Sequence, residues 1–201
     1  MSPASIRHVI FDVGWVFVSL DYSQLFELAP RPDGAAPDVE RIAARIGLAE
    51  HESGRLEGRQ LLANIVALTG GRVSVEAAYA AWNGMFELQP RMVDLATRIS
   101  ERYRVHLLSN VGELHWTYLT RTYGLDRIGH GALTSFEAGV MKPHAGIYLE
   151  AERRFGLEPA ATVFIDDRAE NIEAARARGW AGIVHTNHDS TVEALRGLGV
   201  T

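Results

Sequence analysis

The chain has 201 residues of ordinary globular composition and a formal net charge of −5 at pH 7, with no run of basic residues. That balance argues against nucleic acid and anionic membrane surfaces as partners. The absence of cysteine excludes disulfides, thiolate metal sites and cysteine nucleophiles.

No apolar stretch approaches the ~20 residues of a membrane span. Met1–Arg7 lacks the basic-then-apolar pattern of a secretory leader. A soluble cytoplasmic protein is therefore expected, built as one domain or as one domain with an insertion.

In chain order, Val9–Phe11 is a short apolar run ending at Asp12. The stretch from Val16 to Pro90 then has few strand candidates. Its periodicity predicts helices over Asp21–Leu28, Asp38–Ile46, Leu61–Leu68 and Val75–Phe86, with a Pro/Gly-rich loop at Ala29–Pro37. Arg91–Arg102 is amphipathic. Val105–Leu108 is a second apolar run, ending at Ser109-Asn110, and Ala132–Thr134 is a shorter one. Ala145–Phe155 is again helical in spacing.

Ala161–Ile165 ends at Asp166-Asp167. Arg168–Arg178 is a helix closed by Gly179, Gly182–His185 a last strand, and Asp189–Thr201 a short helix with a loose end. Strand alternating with helix predicts an α/β fold with a Rossmann-like parallel sheet flanked by helices. A helical insertion follows the first strand, dividing the chain into 1–15 plus 91–201 and 16–90.

Ligands of open parallel sheets bind beyond the carboxyl ends of the strands. Three predicted strands end there in Asp12, Ser109-Asn110 and Asp166-Asp167. One lysine stands among twenty basic residues, Lys142 in Gly139-Val-Met-Lys142-Pro143, between the second and third of these ends. A composition that otherwise uses arginine keeps a compact ammonium here, which suits a phosphoryl oxygen or a carboxylate. Carboxylates, a hydroxyl and an ammonium in one crevice can hold a divalent cation and a phosphate, and hard oxygen ligands suit Mg²⁺.

Phe11-Asp12-Val-Gly-Trp-Val-Phe-Val-Ser-Leu-Asp21 resembles the first motif of the haloacid dehalogenase (HAD) superfamily. Leu108-Ser109-Asn110 resembles its second motif, Lys142-Pro143 with Gly-Ile-Tyr148 its third, and Ile165-Asp166-Asp167-Arg-Ala-Glu-Asn171 its fourth. All four occur in order and together cover the whole chain. His51-Glu52-x-Gly54 and Trp82-x-x-x-Phe86 resemble, less specifically, the small helical cap of an α-glucose-1-phosphatase-like branch.

The resemblance implies a Mg²⁺-dependent phosphatase of small phosphomonoesters, with sugar phosphates expected. Residues 1–15 and 91–201 would form the catalytic core, and 16–90 the cap. Asp12 would be the nucleophile, forming an aspartyl-phosphate, and Lys142 would neutralise charge on it and on the transferring group. Ser109 and the Asn110 backbone N–H would bind a phosphoryl oxygen, although Ser109 also suits a helix N-cap. Asp12, the Gly14 carbonyl, Asp166 and Asp167 would hold Mg²⁺, with either of the last two as the direct ligand. Asn171 would brace that loop or face solvent.

Two departures stand out. Many phosphatases of the superfamily carry an aspartate two residues after the nucleophile as general acid, and here that position is Gly14. Either the substrate has a good leaving group, or His51 or Glu52 from the cap supplies the proton, or the protein mainly binds. Trp15 would either narrow the pocket or pack under the cap.

A metal-free 2-haloacid dehalogenase using the same Asp12 is the first rival, disfavoured by the adjacent acids Asp166-Asp167 and by the lack of Tyr-Gly-Thr after the nucleophile. A phosphate-binding pseudo-enzyme is the second. His185-x-x-His188 lacks a third ligand and is expected to be a loop.

Overall fold

The computed structural model describes residues 5–23 and 38–200. From position 24 on, the helix expected over Asp21–Leu28 lies outside the described residues, as does the loop Ala29–Pro37. The apolar runs pair as a parallel sheet. Its strands are β1 (His8–Phe11), β4 (Arg104–Ser109), β5 (Ala132–Thr134), β6 (Thr162–Asp166) and β7 (Ala181–Val184), in the order β5-β4-β1-β6-β7. Residues along a strand alternate between faces, and both faces are covered. Val9, Phe11, Val105, Leu107, Val163 and Ile165 enter one hydrophobic cluster, while Ile10, Leu108 and Phe164 enter another. Continuous apolar runs without alternation are the sequence signature of that double burial.

Helices α5 (Pro90–Ser100) and α6 (Glu113–Tyr123) cover the first face through Met92, Leu95, Ile99 and Leu119. On the second face lie α8 (Ala145–Phe155) and α9 (Ala169–Ala177), which contribute Ile147, Tyr148, Ala151, Ile172 and Ala175. A four-residue helix, α7 (Ser135–Ala138), follows β5, and α10 (His188–Gly197) closes the chain. Short 3-10 turns occupy Leu125–Arg127 and Pro159–Ala161.

The intervening segment forms α1 (Val39–Ile46), α2 (Leu48–Glu52), α3 (Gly58–Leu68) and α4 (Val75–Asn83). These build their own cluster around Ile46, Leu61, Ile65, Ala78, Trp82 and Met85. Asp38 caps α1 by accepting from Arg41 N at 2.9 Å, and Gly47 ends it in the left-handed region at φ 76°.

Two short strands were not anticipated. β2 (Val18–Leu20) pairs antiparallel with β3 (Phe86–Leu88), Leu20 opposite Phe86. This pairing stops α4 at Asn83, short of the helix expected through Phe86. Three-residue strands have no periodicity to detect, and their register is set by a partner distant in the chain. Among the described residues no helix is long and apolar enough to cross a membrane.

Candidate active site

β1 lies between β4 and β6, so the residues at their carboxyl ends are neighbours. Asp12 follows β1, Ser109 ends β4 and Asp166 ends β6; all three are buried. Lys142, buried in the segment between α7 and α8, reaches into this row. Its Nζ lies 2.9 Å from Asp12 Oδ1, and it donates to Asp166 Oδ2 at 2.7 Å and to the Leu108 carbonyl at 3.0 Å. An ammonium has three donors, and each meets an oxygen from a different strand.

Burial pulls the Lys142 ammonium down, but Asp12 and Asp166 outweigh it and hold the group above its ordinary value. Asn110 fixes the lysine backbone reciprocally. Lys142 N donates to Asn110 Oδ1 at 2.8 Å, and Asn110 Nδ2 donates to the Lys142 carbonyl at 2.9 Å. Sequence reasoning missed this side-chain clamp, having given Asn110 a role through its backbone N–H.

Asp166 is wholly committed to the protein. Its Oδ1 accepts from Arg168 N at 2.8 Å and from Asn171 Nδ2 at 2.9 Å, and its Oδ2 from Lys142 and, at 3.0 Å, from Asn171 Nδ2 again. Asn171 is buried rather than solvent-facing, and its carbonyl accepts from Tyr148 Oη at 2.9 Å. Asp167 beside it is half-buried, its carboxyl raised by burial and by the Asp166 charge. Asp12, Asp166 and Asp167 each bring a carboxylate oxygen within 4.8 Å of the others.

Burial, reinforced by Asp166, pushes Asp12 up to about 6, against the pull of Lys142 and the Val13 N–H. Three carboxylates this close repel one another, and a hard divalent cation relieves that repulsion; the donor set, all oxygen, fits Mg²⁺. A side chain at Gly14 would meet no heavy atom within 4 Å, so glycine is not a packing requirement there.

Beyond Val13-Gly14 and Ser109-Asn110 opens a narrow recess of about 80 Å³ between the sheet edge and the inserted helices. Ser109 lines it and does not cap a helix, since Gly112 is the N-cap of α6. Glu52, the last residue of α2, also faces the recess. Burial, and then the charge of Asp12, pushes its carboxyl up to about 7.

The turn that carries Glu52 is pinned to the core. Ser135 Oγ donates to the Glu52 carbonyl at 2.5 Å. Gly54, at φ 73°, sits so close to Phe136 that an added Cβ would lie 2.4 Å from its carbonyl oxygen. Only glycine tolerates both demands.

Two expectations need correction. His51 does not face the recess: its Nδ1 bonds the Leu56 carbonyl at 2.9 Å, and its ring lies where a Cβ at Gly112 would be, 2.1 Å from Cδ2. It is a buried docking residue, because the helix turn that aims Glu52 at the sheet edge rotates its neighbour toward α6. Trp15 neither narrows the recess nor packs under the inserted helices. It adopts φ 56°, stays 49% exposed and lines a separate hollow with Pro90 and His185. His185 bonds Thr191 Oγ1, and His188, the first residue of α10, bonds Asp189.

The haloacid dehalogenase-like hydrolase family model matches residues 22–179. The chain is similar to flavin mononucleotide hydrolase 1 of Arabidopsis thaliana, with 27% identity over 157 residues, 75% of this chain and 61% of that protein. That match thus spans less than two thirds of the plant protein. Sesquiterpene phosphatase astK of Aspergillus oryzae is 24% identical over 200 residues, 96% of this chain and 97% of the fungal one. Among solved structures, a HAD family enzyme of Bacteroides thetaiotaomicron in its magnesium complex superposes with a TM-score of 0.79 at 25% identity, covering 91% of this chain and 94% of that one.

Proposed function

Because the chain belongs to the haloacid dehalogenase-like hydrolases, we propose that it is a Mg²⁺-dependent phosphatase of small phosphomonoesters, with residues 16–90 acting as a cap over a core of 1–15 and 91–201. The observation that carries this reading is the buried Lys142 ammonium spanning Asp12 and Asp166 at the ends of adjacent parallel strands. Such a charge is suited to offset the negative charge of a phosphoryl group arriving at Asp12.

In the first step an Asp12 carboxylate oxygen attacks phosphorus and the ester P–O bond breaks. The leaving oxygen takes its proton from Glu52, the acid that faces the recess in place of the carboxylate missing at Gly14. Water then attacks the aspartyl-phosphate, gives its proton to Glu52, and leaves as inorganic phosphate with the Asp12 carboxylate restored. Ser109 Oγ and the Asn110 backbone N–H would hold a phosphoryl oxygen, and Lys142 would keep the attacking carboxylate and the phosphoryl group together.

Asp12, Asp167 and the Gly14 carbonyl would hold Mg²⁺, with Asp166, whose oxygens already accept four hydrogen bonds, bracing them. When bound, the ion neutralises charge on the phosphoryl oxygens. The Bacteroides relative crystallised with magnesium supports the cofactor. Sugar phosphates were the expectation from the sequence resemblance. The relatives are named for flavin mononucleotide and sesquiterpenes, so the reading commits only to a phosphomonoester.

Phosphate release in Mg²⁺ by wild type and not by Asp12→Asn is the expected result. Activity that survived EDTA, with halide released from 2-haloacids, would instead favour the dehalogenase chemistry.

A further inference from the structure

We propose that the recess beside Asp12 is a binding site for an apolar leaving group, so that the preferred substrate is the monophosphate of a hydrocarbon-like or aryl alcohol rather than of a sugar. The inference rests on the phosphatase reading for its chemistry and on the recess itself for its specificity.

The recess is continuous with the proposed phosphate site, since Gly14, Ser109 and Asn110 form its inner end. A phosphoryl group held there directs its ester oxygen outward along the recess. The walls that oxygen's substituent would meet are mainly apolar, Leu20, Leu48, Trp82, Met85, Phe86 and Leu119, with Tyr22 the one phenol among them. The aromatic part is stacked and rigid. Trp82 lies on His115 with ring centroids 4.3 Å apart, and Phe86 meets the same imidazole edge-on at 4.7 Å.

Of the two ring nitrogens of His115, Nε2 bonds the Trp82 carbonyl at 2.9 Å. Burial holds that imidazole down at about 3, so it presents a neutral aromatic face at physiological pH. Glu52 is the one acidic side chain on the described wall, and its role is with the ester oxygen.

A sugar brings several hydroxyls, and each one buried without a partner lowers affinity by roughly an order of magnitude. A hydrocarbon leaves no such group unpaired and removes its own surface from water. Each methylene buried should raise kcat/KM about fourfold, until the recess is filled.

The test uses the full chain with Mg²⁺ and compares phosphate release from ethyl, butyl and hexyl phosphate with release from glucose 1-phosphate and glucose 6-phosphate. A rise of kcat/KM with chain length, with hexyl phosphate above both sugar phosphates, is expected. Phe86→Ser should flatten that rise. A flat series, or sugar phosphates preferred over hexyl phosphate, overturns the inference while leaving the phosphatase reading in place.

If no ester releases phosphate, the phosphatase reading has failed, and calorimetric titration of Asp12→Asn with ethyl-, butyl- and hexylphosphonate in Mg²⁺ decides the recess separately. Affinity increasing with length sustains the apolar site, and equal affinities overturn it.

Discussion

Replacing Glu52 with glutamine tests the division of labour between cap and core. The carboxyl lies at the end of α2, aimed into the recess, and burial with the nearby Asp12 charge raises it from the ordinary 4.5 to about 7. At pH 7 an ordinary carboxyl is protonated in roughly one molecule in three hundred, whereas this one is protonated in about half. The fold thus raises the supply of acid roughly 150-fold at the pH where it is used.

Positioned acids contribute ~10²–10⁴-fold, and only when the leaving oxygen needs a proton. Benzyl phosphate and p-nitrophenyl phosphate present similar apolar bodies to the recess but very different leaving groups. Glu52→Gln should lower kcat/KM, which reports the first step and not the common hydrolysis of the aspartyl-phosphate, by about 10²-fold for benzyl phosphate and only a few-fold for p-nitrophenyl phosphate. The wild-type benzyl phosphate profile should fall as pH rises through about 7, because the acid is lost, and the variant should lack that limb. Equal losses on the two esters, or none on benzyl phosphate, would refute the assignment. So would an alkaline limb retained in the variant.

Lys142→Arg should abolish turnover with the fold intact by circular dichroism, since a planar fork cannot place one donor point within 3.0 Å of oxygens from three strands. Lys142→Met leaves two buried carboxylates unpaired and should cost about 3–5 kcal/mol in urea unfolding at neutral pH. Asp12 is already raised by burial to about 6, and protonation relieves the unpaired charge. That loss should therefore shrink in acid and grow as pH rises. Gly54→Ala, at φ 73° and against the Phe136 carbonyl, should destabilise by about 1–3 kcal/mol. It should also reproduce part of the Glu52→Gln defect on benzyl phosphate. Mg²⁺ should raise the melting temperature of wild type more than that of Asp167→Asn, read by differential scanning fluorimetry, because the three clustered acids gain a counter-charge.

The sheet was legible because strands buried on both faces must be apolar throughout, and runs such as Val9–Phe11 and Val163–Ile165 have no other comfortable environment. The polar residues that end those runs were legible for the same reason: a carboxylate closing a buried strand at its carboxyl end stands where ligands collect. Lys142 was conspicuous against an arginine background.

The sequence did not disclose which of two adjacent residues faces the site. His51 and Glu52 looked equivalent as candidates, and so did Asp166 and Asp167. In the folded chain one member of each pair is tied into the framework, His51 against Gly112 and Asp166 by Lys142, Asn171 and Arg168 N. The other is left open. The β2–β3 pairing was equally hidden, because neither strand has a pattern without its partner.

Periodicity and residue chemistry act locally, so they determined the α/β core, its strand ends and the inventory of reactive groups. Direction, partner and burial are properties of contacts between distant segments. They alone decided that Trp15 turns away, that Glu52 faces an apolar recess, and that its carboxyl is shielded enough to keep a proton near neutrality.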